Sequence, residues 1–425
     1  MAVVTATTMM MISSCSKADS ESPEEPTVPE TPSTPARGDN ELKPITLTRA
    51  QQELVNGNND FAFNLLRQIT QSGPAGPCFA PPQSTIVSPI SITFALGMLN
   101  NGAAGETQQQ INNVLGFGVA GAEGINTFCG KMLTEASKLD TLTKVMIANT
   151  IYMNKGYVLQ PTFVEQAKQY YDAEPETRDF GDGETRNVIN KWGSDHTEGM
   201  ISEVLNQYEF NSEAVSYLLN AIYFKGMWTW KFKKEDTREE IFCGEDGTQK
   251  KLPMMCQEAR FSYCEDDLCQ AVRLPYGNQA YSMTILLPRE GKTVNDVLKS
   301  LTAETWRKYG AGDTVTVNLK IPRFESKTDV NLNDVMSQLG MPKAFTEYAE
   351  FPYFCNVSVY VGLMKQVARI KLDEEGTEAA AVTVIGLGKD GSTPTALFHA
   401  TRPFLYVISE RSTDAIFFVG EYYGD

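Results

Sequence analysis

The chain has 425 residues, of which 42% are hydrophobic and 21% charged, a composition typical of a globular protein with a large core. Its 37 basic and 53 acidic residues give a net charge of −16 without any basic run, so we expect no binding to nucleic acid. The two histidines, His196 and His399, are too few for an HExxH motif or a His/Cys zinc cluster, and no GxSxG motif offers either one a nucleophile. We therefore predict no metal site and interpret both histidines as structural or surface residues.

The N-terminal residues carry a possible export signal. A short stretch of small and apolar residues, 3–14, ends at Cys15 and is too short to span a bilayer. The sequence Ile12-Ser13-Ser14-Cys15 resembles a bacterial lipobox, in which the cysteine is lipidated and becomes the mature N-terminus. The basic segment that usually begins such a signal is missing, so an unprocessed terminus remains the alternative. We predict a lipoprotein signal peptide at residues 1–15, with Cys15 as the lipidation site.

Residues 16–40 differ in composition from everything after them. They contain five prolines and six acidic residues with almost no large apolar side chain, so this segment cannot bury enough surface to fold. We predict a disordered tether at 16–40 and a folded domain at 41–425. The expected location is extracytoplasmic, anchored by lipid to a bacterial outer membrane or cell surface, with membrane contact through Cys15 alone.

The first part of the folded domain has helical periodicity. Apolar residues recur at three- and four-residue spacing between positions 61 and 69, and Ser88-Pro89 has the pattern of a helix N-cap followed by proline in the first turn. The apolar runs 146–152 and 216–224 have the length of strands that are covered on both faces. We predict that helices give way to interleaved strands from about Val145.

The second part of the domain is rich in strands. Residues 315–321 alternate apolar and polar side chains. Residues 360–373 are predicted to form one long strand that buries Gln366 on its apolar face and exposes Lys365 on the other. The apolar runs 404–408 and 415–419 form a predicted buried hairpin. Without a second linker or a repeat, the chain is predicted to be one intertwined α+β domain.

Seven further cysteines follow Cys15, an odd number that excludes complete pairing among them. Cys243 and Cys256 flank one turn-like segment, and Cys264 and Cys269 flank another, so either pair could bridge a hairpin. Free thiols are the alternative, and the sequence leaves the two open.

The segment between the long strand and the final hairpin, residues 374–395, combines the features of a loop and a strand. From Thr377 onward small residues alternate along both faces, and no proline occurs from Gly376 to Thr393. Such a segment can enter the interior of a sheet without losing a ladder hydrogen bond.

This pattern resembles the hinge of the reactive-centre loop of inhibitory serpins. The residues that carry it are Glu374, Glu375, Gly376, Thr377, Glu378, Ala379, Ala380, Ala381 and Val382. The run from Ser88 through Ser91 resembles the start of the family's helix B, and Asn220 to Trp228 resembles its central strand and breach tryptophan. The resemblance covers about residue 54 to the C-terminus. It implies the serpin fold: a single large domain with three β-sheets, eight to nine helices and an exposed reactive-centre loop at about 374–395.

One position departs from the family pattern. The family usually has a histidine in the strand before the hinge, bonded to the shutter asparagine, and this chain has Gln366 there. The resemblance places Gln366 opposite Asn220, Ser88 and Ser91. Because Gln366 falls on the predicted buried face, its amide can supply a donor, and we expect an altered but satisfied shutter.

The resemblance also implies a function. An inhibitory serpin is not an enzyme and needs no cofactor; it acts as a suicide substrate of serine, and possibly cysteine, endopeptidases by inserting its cleaved loop into the central sheet. Counting from Gly376 places the reactive bond at Asp390–Gly391, counting back from Arg402 gives about Ser392, and Lys389 is the alternative for a trypsin-like enzyme. The expected partners are trypsin-, elastase- or subtilisin-like proteases, and the expected state is a monomer.

Two other functions remain as alternatives. A serpin that does not inhibit would act as a binding or chaperone-like surface protein, and a hinge with proline, charge or bulk would favour it. A surface hydrolase or binding lipoprotein outside the serpin family is the second alternative, which the two-histidine count and the motifs in register disfavour.

Overall fold

The structure is a computed structural model of the chain that describes residues 2–3, 40–71, 82–118, 120–374 and 395–425. Nine α-helices lie in these ranges. They are α1 Arg49–Gln71, α2 Pro89–Asn100, α3 Gly105–Val114, α4 Gly121–Glu135, α5 Pro161–Tyr171, α6 Glu184–Asp195, α7 Val294–Ser300, α8 Ala303–Gly310 and α9 Asn333–Leu339. The helix start predicted at Ser88-Pro89 is confirmed as the start of α2. The Ser88 hydroxyl accepts a hydrogen bond from the Ser91 N–H, and Pro89 is the first helical residue.

The described residues also form fifteen strands. They are β1 Ala2–Val3, β2 Thr85–Val87, β3 Thr143–Asn154, β4 Glu174–Arg178, β5 Ser216–Gly226, β6 Arg238–Cys243, β7 Gln249–Glu265, β8 Cys269–Tyr276, β9 Tyr281–Pro288, β10 Asp313–Pro322, β11 Phe324–Asn331, β12 Lys365–Leu372, β13 Thr395–His399, β14 Phe404–Glu410 and β15 Ile416–Tyr422. Three sheets result, with the orders β1-β5-β3-β4, β13-β10-β7-β8-β9-β14-β15-β2 and β11-β12, and β6 pairs with β7.

Strands that are far apart in sequence share sheets, which makes the domain a single unit. The C-terminal hairpin β14–β15 is buried along its whole length and pairs with β9 on one side and with β2 on the other. Helices α1 and α2 pack against it. A smaller apolar cluster beneath α6 is separate from this core and includes Tyr152, Phe180, Ile189 and Leu205. The α+β architecture and the C-terminal hairpin therefore agree with the prediction.

The predicted long strand at 360–373 was partly wrong, because the observed strand β12 begins at Lys365. The side chain of Asn333 takes the place of a strand partner before that point. Its Oδ1 accepts from the Met364 N–H at 2.7 Å, and its Nδ2 donates to the Gly362 carbonyl at 2.9 Å. These side-chain bonds satisfy the backbone without a ladder, so the chain enters the sheet only at Lys365.

The six described cysteines are free thiols. Strand register explains why the two hairpin pairings do not form: Cys243 lies opposite Gln249, and Cys264 lies opposite Ala271. His399 ends β13 and contacts Asn318, while His196 caps α6 and packs on Trp192. Among the described residues no His, Cys, Asp and Glu side chains cluster in a way that could hold a metal ion, and none of the helices has the length and apolarity to cross a membrane.

Candidate functional site: a gap in the central sheet

Strands β5 and β12 face each other across a gap. Strand β5 pairs with β3 and, at its end, with β1, whereas β12 pairs with β11, and no ladder joins β5 to β12 within the described ranges. A cavity of about 690 Å³ lies there, lined by β5, β12, α2 and the chain that connects α6 to β5. We call that connection, residues 196–215, the crossover segment. A strand edge without a partner presents free N–H and C=O groups that another strand can pair with.

The two faces of β12 show how the cavity is enclosed. Gln366 bonds to Ser88 at the start of α2, and its neighbour Lys365 bonds to Glu209 in the crossover segment. Because successive side chains of a strand point to opposite faces, α2 and the crossover segment lie on opposite sides of β12. The cavity therefore has α2 on one side, the crossover segment on the other, and the two strands as its walls.

Four of the residues that the sequence singled out meet at the start of α2. The Gln366 Oε1 accepts from the Ser88 N–H at 3.0 Å, and the Gln366 Nε2 donates to the Ser88 carbonyl at 2.9 Å. The Ser91 hydroxyl donates to the Asn220 Oδ1, and the Asn220 Nδ2 donates to Asn149 Oδ1 at 2.8 Å. Helix α2 thus connects β12 to β5 through Ser88 and Ser91. The bonds of Gln366 reach the backbone of Ser88 rather than the Asn220 side chain.

Trp228 lies at the opposite end of the gap, near the C-terminal end of β12. Its Nε1 donates to the Asp373 carbonyl at 3.0 Å, and its ring stacks on Tyr276 with 4.4 Å between centroids and 11° between planes. The indole is buried, so this hydrogen bond is the partner that a buried Trp N–H requires. It joins the segment after β5 directly to the end of β12.

Glu374 follows at once and is the last described residue before the predicted loop. Its side chain is 1% exposed, and its two oxygens accept from Arg323 at 2.6 and 3.1 Å and from the Thr237 hydroxyl at 2.6 Å. Burial alone would raise the pKa of this carboxyl, but the Arg323 and Thr237 hydrogen bonds outweigh it and hold the pKa below its ordinary value. The sequence placed Glu374 in an exposed loop and offered no sign of these partners; the structure buries it instead.

The prediction that Lys365 is exposed was also wrong. The alternation along β12 predicted an exposed lysine, but its side chain is 8% exposed because the crossover segment covers it. The Lys365 Nζ lies 2.9 Å from both carboxylate oxygens of Glu209 and 2.9 Å from Asp329 Oδ1 on β11. Burial would raise the pKa of Glu209, yet the bonds from Lys365 and from the Asn206 N–H lower it.

The remaining predicted site residues lie outside the described residues. They are the hinge residues Glu375, Gly376, Thr377, Glu378, Ala379, Ala380, Ala381 and Val382, the reactive-bond residues Lys389, Asp390 and Gly391, and the lipidation site Cys15. Their roles stay predictions. The structure locates the points from which the loop leaves and to which it returns, Glu374 and the start of β13.

Comparison with known families decides which fold this is. A family model described as Serpin (serine protease inhibitor) matches residues 56–424. The chain belongs to the serpin family. As a serpin it is 32% identical over 393 residues to Serpin B3 of Homo sapiens, covering 87% of this chain and 98% of that protein. It is also 30% identical over 382 residues to the leukocyte elastase inhibitor of Sus scrofa, with 87% and 98% covered.

Solved serpin structures have the same architecture. The native state of tengpin, a thermophilic serpin, superposes with a TM-score of 0.79 at 26% identity, covering 91% of this chain and 97% of that chain. Human thyroxine-binding globulin in complex with its ligand superposes with a TM-score of 0.77 at 25% identity, covering 88% and 98%. The serpin fold that the sequence motifs implied, with three sheets and nine helices among the described residues, is therefore confirmed.

Proposed function

We propose that this serpin inhibits serine endopeptidases by inserting its cleaved loop between β5 and β12. The observation that carries the proposal is the cavity of about 690 Å³ between two strands that do not pair with each other. The loop is attached at the other end of the gap from this cavity, because Glu374 directly follows β12 and the cavity is lined by the first half of that strand. A loop released at its far end can fold back and become the missing strand.

The edge of β5 accepts a strand at the place where insertion would begin. Ala2 pairs with Gly226 and Val3 with Lys225, in antiparallel orientation. A loop that folds back from β12 would run in the same direction, since it must be antiparallel to both neighbours. If residues 1–15 are removed as a signal peptide, the mature chain lacks β1 and this part of the edge becomes available to the loop.

In this proposal, insertion of the loop releases a free energy that is large enough to distort the active site of a bound protease. A strand of eight residues, the length of β12, adds roughly eight hydrogen bonds at about 1 kcal/mol each, on the order of the whole stability of a domain. Small hinge side chains such as Thr377, Ala379 and Ala381 enter at little steric cost. The gain is available only after cleavage, because an intact loop is held at both ends.

In this proposal the chemistry belongs to the target and the serpin is not an enzyme. The protease nucleophile attacks the carbonyl of the residue before the cut, the C-terminal segment leaves with its new amino group, and an acyl-enzyme forms. Insertion then drags the protease along and distorts its active site, so that deacylation stalls. Asp390–Gly391 is the proposed bond, and Lys389 is the alternative for a trypsin-like target. Val384, Ile385 and Leu387 fit elastase- or subtilisin-like targets.

We also propose where the inhibitor acts. Lipidation at Cys15 and the proline-rich tether of residues 16–40 would hold a monomeric serpin domain outside the cytoplasm, on a bacterial outer membrane or cell surface. The acidic and proline content of the tether supports an extended linker, which lets the domain reach soluble proteases.

The direct test mixes the purified protein with trypsin, elastase and subtilisin in turn. An SDS-stable band at the summed mass is expected with at least one of them, and mass spectrometry of the released C-terminal fragment fixes the cleaved bond. Cleavage of the loop with full protease activity and no stable complex contradicts the proposal.

A second candidate function is ligand binding without inhibition, and one observation favours it. The cavity is large and carries many apolar side chains, and a serpin of similar structure, thyroxine-binding globulin, was solved with a bound ligand. The melting temperature before and after loop cleavage separates the two functions. A large increase indicates loop insertion, and an unchanged melting temperature indicates a binding serpin.

A further inference from the structure

The ion pair of Lys365 with Glu209 connects the two sides of the gap. Glu209 belongs to the crossover segment, which continues directly into β5, and Lys365 is the first residue of β12. Asp329, the second acidic partner of Lys365, lies on β11 and therefore on the β12 side. The bond between Lys365 and Glu209 thus joins the β5 half of the sheet to the β12 half at the end of the gap farthest from Glu374.

The ion pair also lies on the path of an inserting strand. Both Lys365 and Glu209 line the cavity, and the crossover segment covers it on the face that Lys365 points to. From Leu372 to Lys365, β12 runs about 23 Å at the usual rise of a strand. A strand that grows from the Glu374 end therefore reaches Lys365 last, after most of its hydrogen bonds have formed.

The pair is more enclosed than an ordinary surface ion pair, with side-chain exposures of 8% for Lys365 and 25% for Glu209. Lys365 is almost fully buried, its ammonium contacts both Glu209 oxygens, and Glu209 also accepts from the Asn206 N–H. Separating a buried charge pair is costly because it leaves a charge without its partner, whereas exposed pairs contribute little.

We propose that Lys365 and Glu209 form a latch that controls the last stage of loop insertion. The latch holds the crossover segment against β12, and it must open before a strand can fill the far end of the cavity. This inference rests on the proposed function, since it assigns the step that limits how far the loop inserts. The latch therefore sets the fraction of encounters that end in a trapped protease rather than in a cleaved inhibitor.

The test uses the full chain with both charges removed, Lys365→Met with Glu209→Gln, because a single substitution leaves one charge buried without its partner. Asp329 is 48% exposed and stays hydrated in this variant. The rate at which a synthetic peptide of residues 377–388 anneals to the intact protein is measured by native electrophoresis. The expected result is annealing about tenfold faster than in the unmodified chain, which corresponds to about 1.4 kcal/mol.

The matched control removes a bond of the same crossover segment that does not cross the gap. The Lys144 Nζ donates to the Glu198 Oε1 at 2.7 Å, and Lys144 lies on β3, on the β5 side. The variant Lys144→Met with Glu198→Gln is expected to anneal the peptide at the unmodified rate. Equal acceleration in both variants overturns the latch, because it means that any loosening of the crossover segment is sufficient.

A second measurement keeps the latch and the proposed function separable. The number of inhibitor molecules consumed per trapped protease is expected to fall in the Lys365/Glu209 variant. If the unmodified chain traps no protease but the variant still anneals peptide faster than the control, the latch stands and inhibition fails. If the unmodified chain traps protease and the variant anneals at the unmodified rate, inhibition stands and the latch is overturned.

Should the double variant not fold, the single variant Glu209→Gln replaces it. This variant must accelerate annealing of the peptide, to a smaller extent than expected for the double variant.

Discussion

Gln366 and Ser88 are joined by two hydrogen bonds, in which the glutamine amide accepts from the Ser88 N–H and donates to the Ser88 carbonyl. The Ser88 N–H lies at the helix start, where backbone donors have no partner inside the helix. A primary amide has an acceptor and a donor side by side, so one side chain satisfies both backbone groups. Gln366 therefore bonds to both backbone groups of Ser88 by itself, at the position where the family usually has a histidine.

We expect Gln366→Met to lower the free energy of unfolding by about 1 to 3 kcal/mol, because it leaves the buried Ser88 N–H without a partner, while the Ser88 carbonyl keeps its bond from the Ile92 N–H. The exposed Lys371→Ala on the same strand is the control and should change stability by less than about 0.5 kcal/mol. Urea denaturation followed by circular dichroism measures both. Similar values for the two variants would show that the Ser88 bonds contribute nothing.

The ion pair of Glu374 with Arg323 predicts a pH-dependent stability. The pKa of Glu374 is lower in the folded protein than in the unfolded chain, so the pair stabilises the fold above the ordinary carboxyl pKa and loses this effect as the pH falls through the folded pKa. Arg323→Ala should therefore lower the melting temperature more at pH 7 than at pH 3. Arg323→Lys keeps the charge but loses the two-pronged contact and should be intermediate. A constant difference between pH 7 and pH 3 contradicts this account.

Glu421 on β15 predicts the opposite dependence. Burial, with a smaller contribution from Glu245, raises its pKa to about 7. The folded protein then binds more protons than the unfolded chain between about pH 4.5 and 7, so this group lowers stability as the pH rises through that range. Glu421→Gln should remove this dependence and stabilise the protein at pH 8 by on the order of 3 kcal/mol. Melting temperatures at pH 5 and pH 8 measure it, and parallel profiles of variant and unmodified chain would refute it.

Thr377 would be among the first loop residues to enter the sheet. Thr377→Arg places a charge where the neighbouring strands leave little solvent, so we expect slow insertion and a protein that proteases cleave without being trapped. The ratio of complex to cleaved inhibitor on SDS gels measures the change. Thr395→Arg, at the start of β13 and outside the proposed inserting segment, is the control. An unchanged ratio for Thr377→Arg means that the proposed register is wrong.

Local patterns predicted those parts of the fold that depend on neighbouring residues. Ser88 and Pro89 marked the helix start, and the period of two along β12 placed Gln366 on the buried face. The same period predicted Lys365 wrongly, because alternation describes one strand and the crossover segment that covers this lysine comes from residues far away in sequence.

Contacts with distant residues also determine the structure at the two ends of β12, where the sequence prediction was wrong. Glu374 was interpreted from its own neighbours as part of a loop, but its burial depends on Arg323 and Thr237, which lie 51 and 137 positions earlier in the chain. The start of β12 depends on Asn333, whose side chain forms hydrogen bonds with the backbone of Gly362 and Met364, just before Lys365. In each case a long-range side-chain bond determined the outcome, and no periodicity carries that information.

The bond between the Trp228 indole and the Asp373 carbonyl provides an intrinsic optical reporter. The chain has four tryptophans, and this one contacts the backbone one residue before Glu374 while stacked on Tyr276. Displacement of the chain at Asp373 changes the polarity around the indole, so its emission wavelength follows opening of the gap in real time without any attached dye. Comparison with Trp228→Phe isolates that emission from the other three.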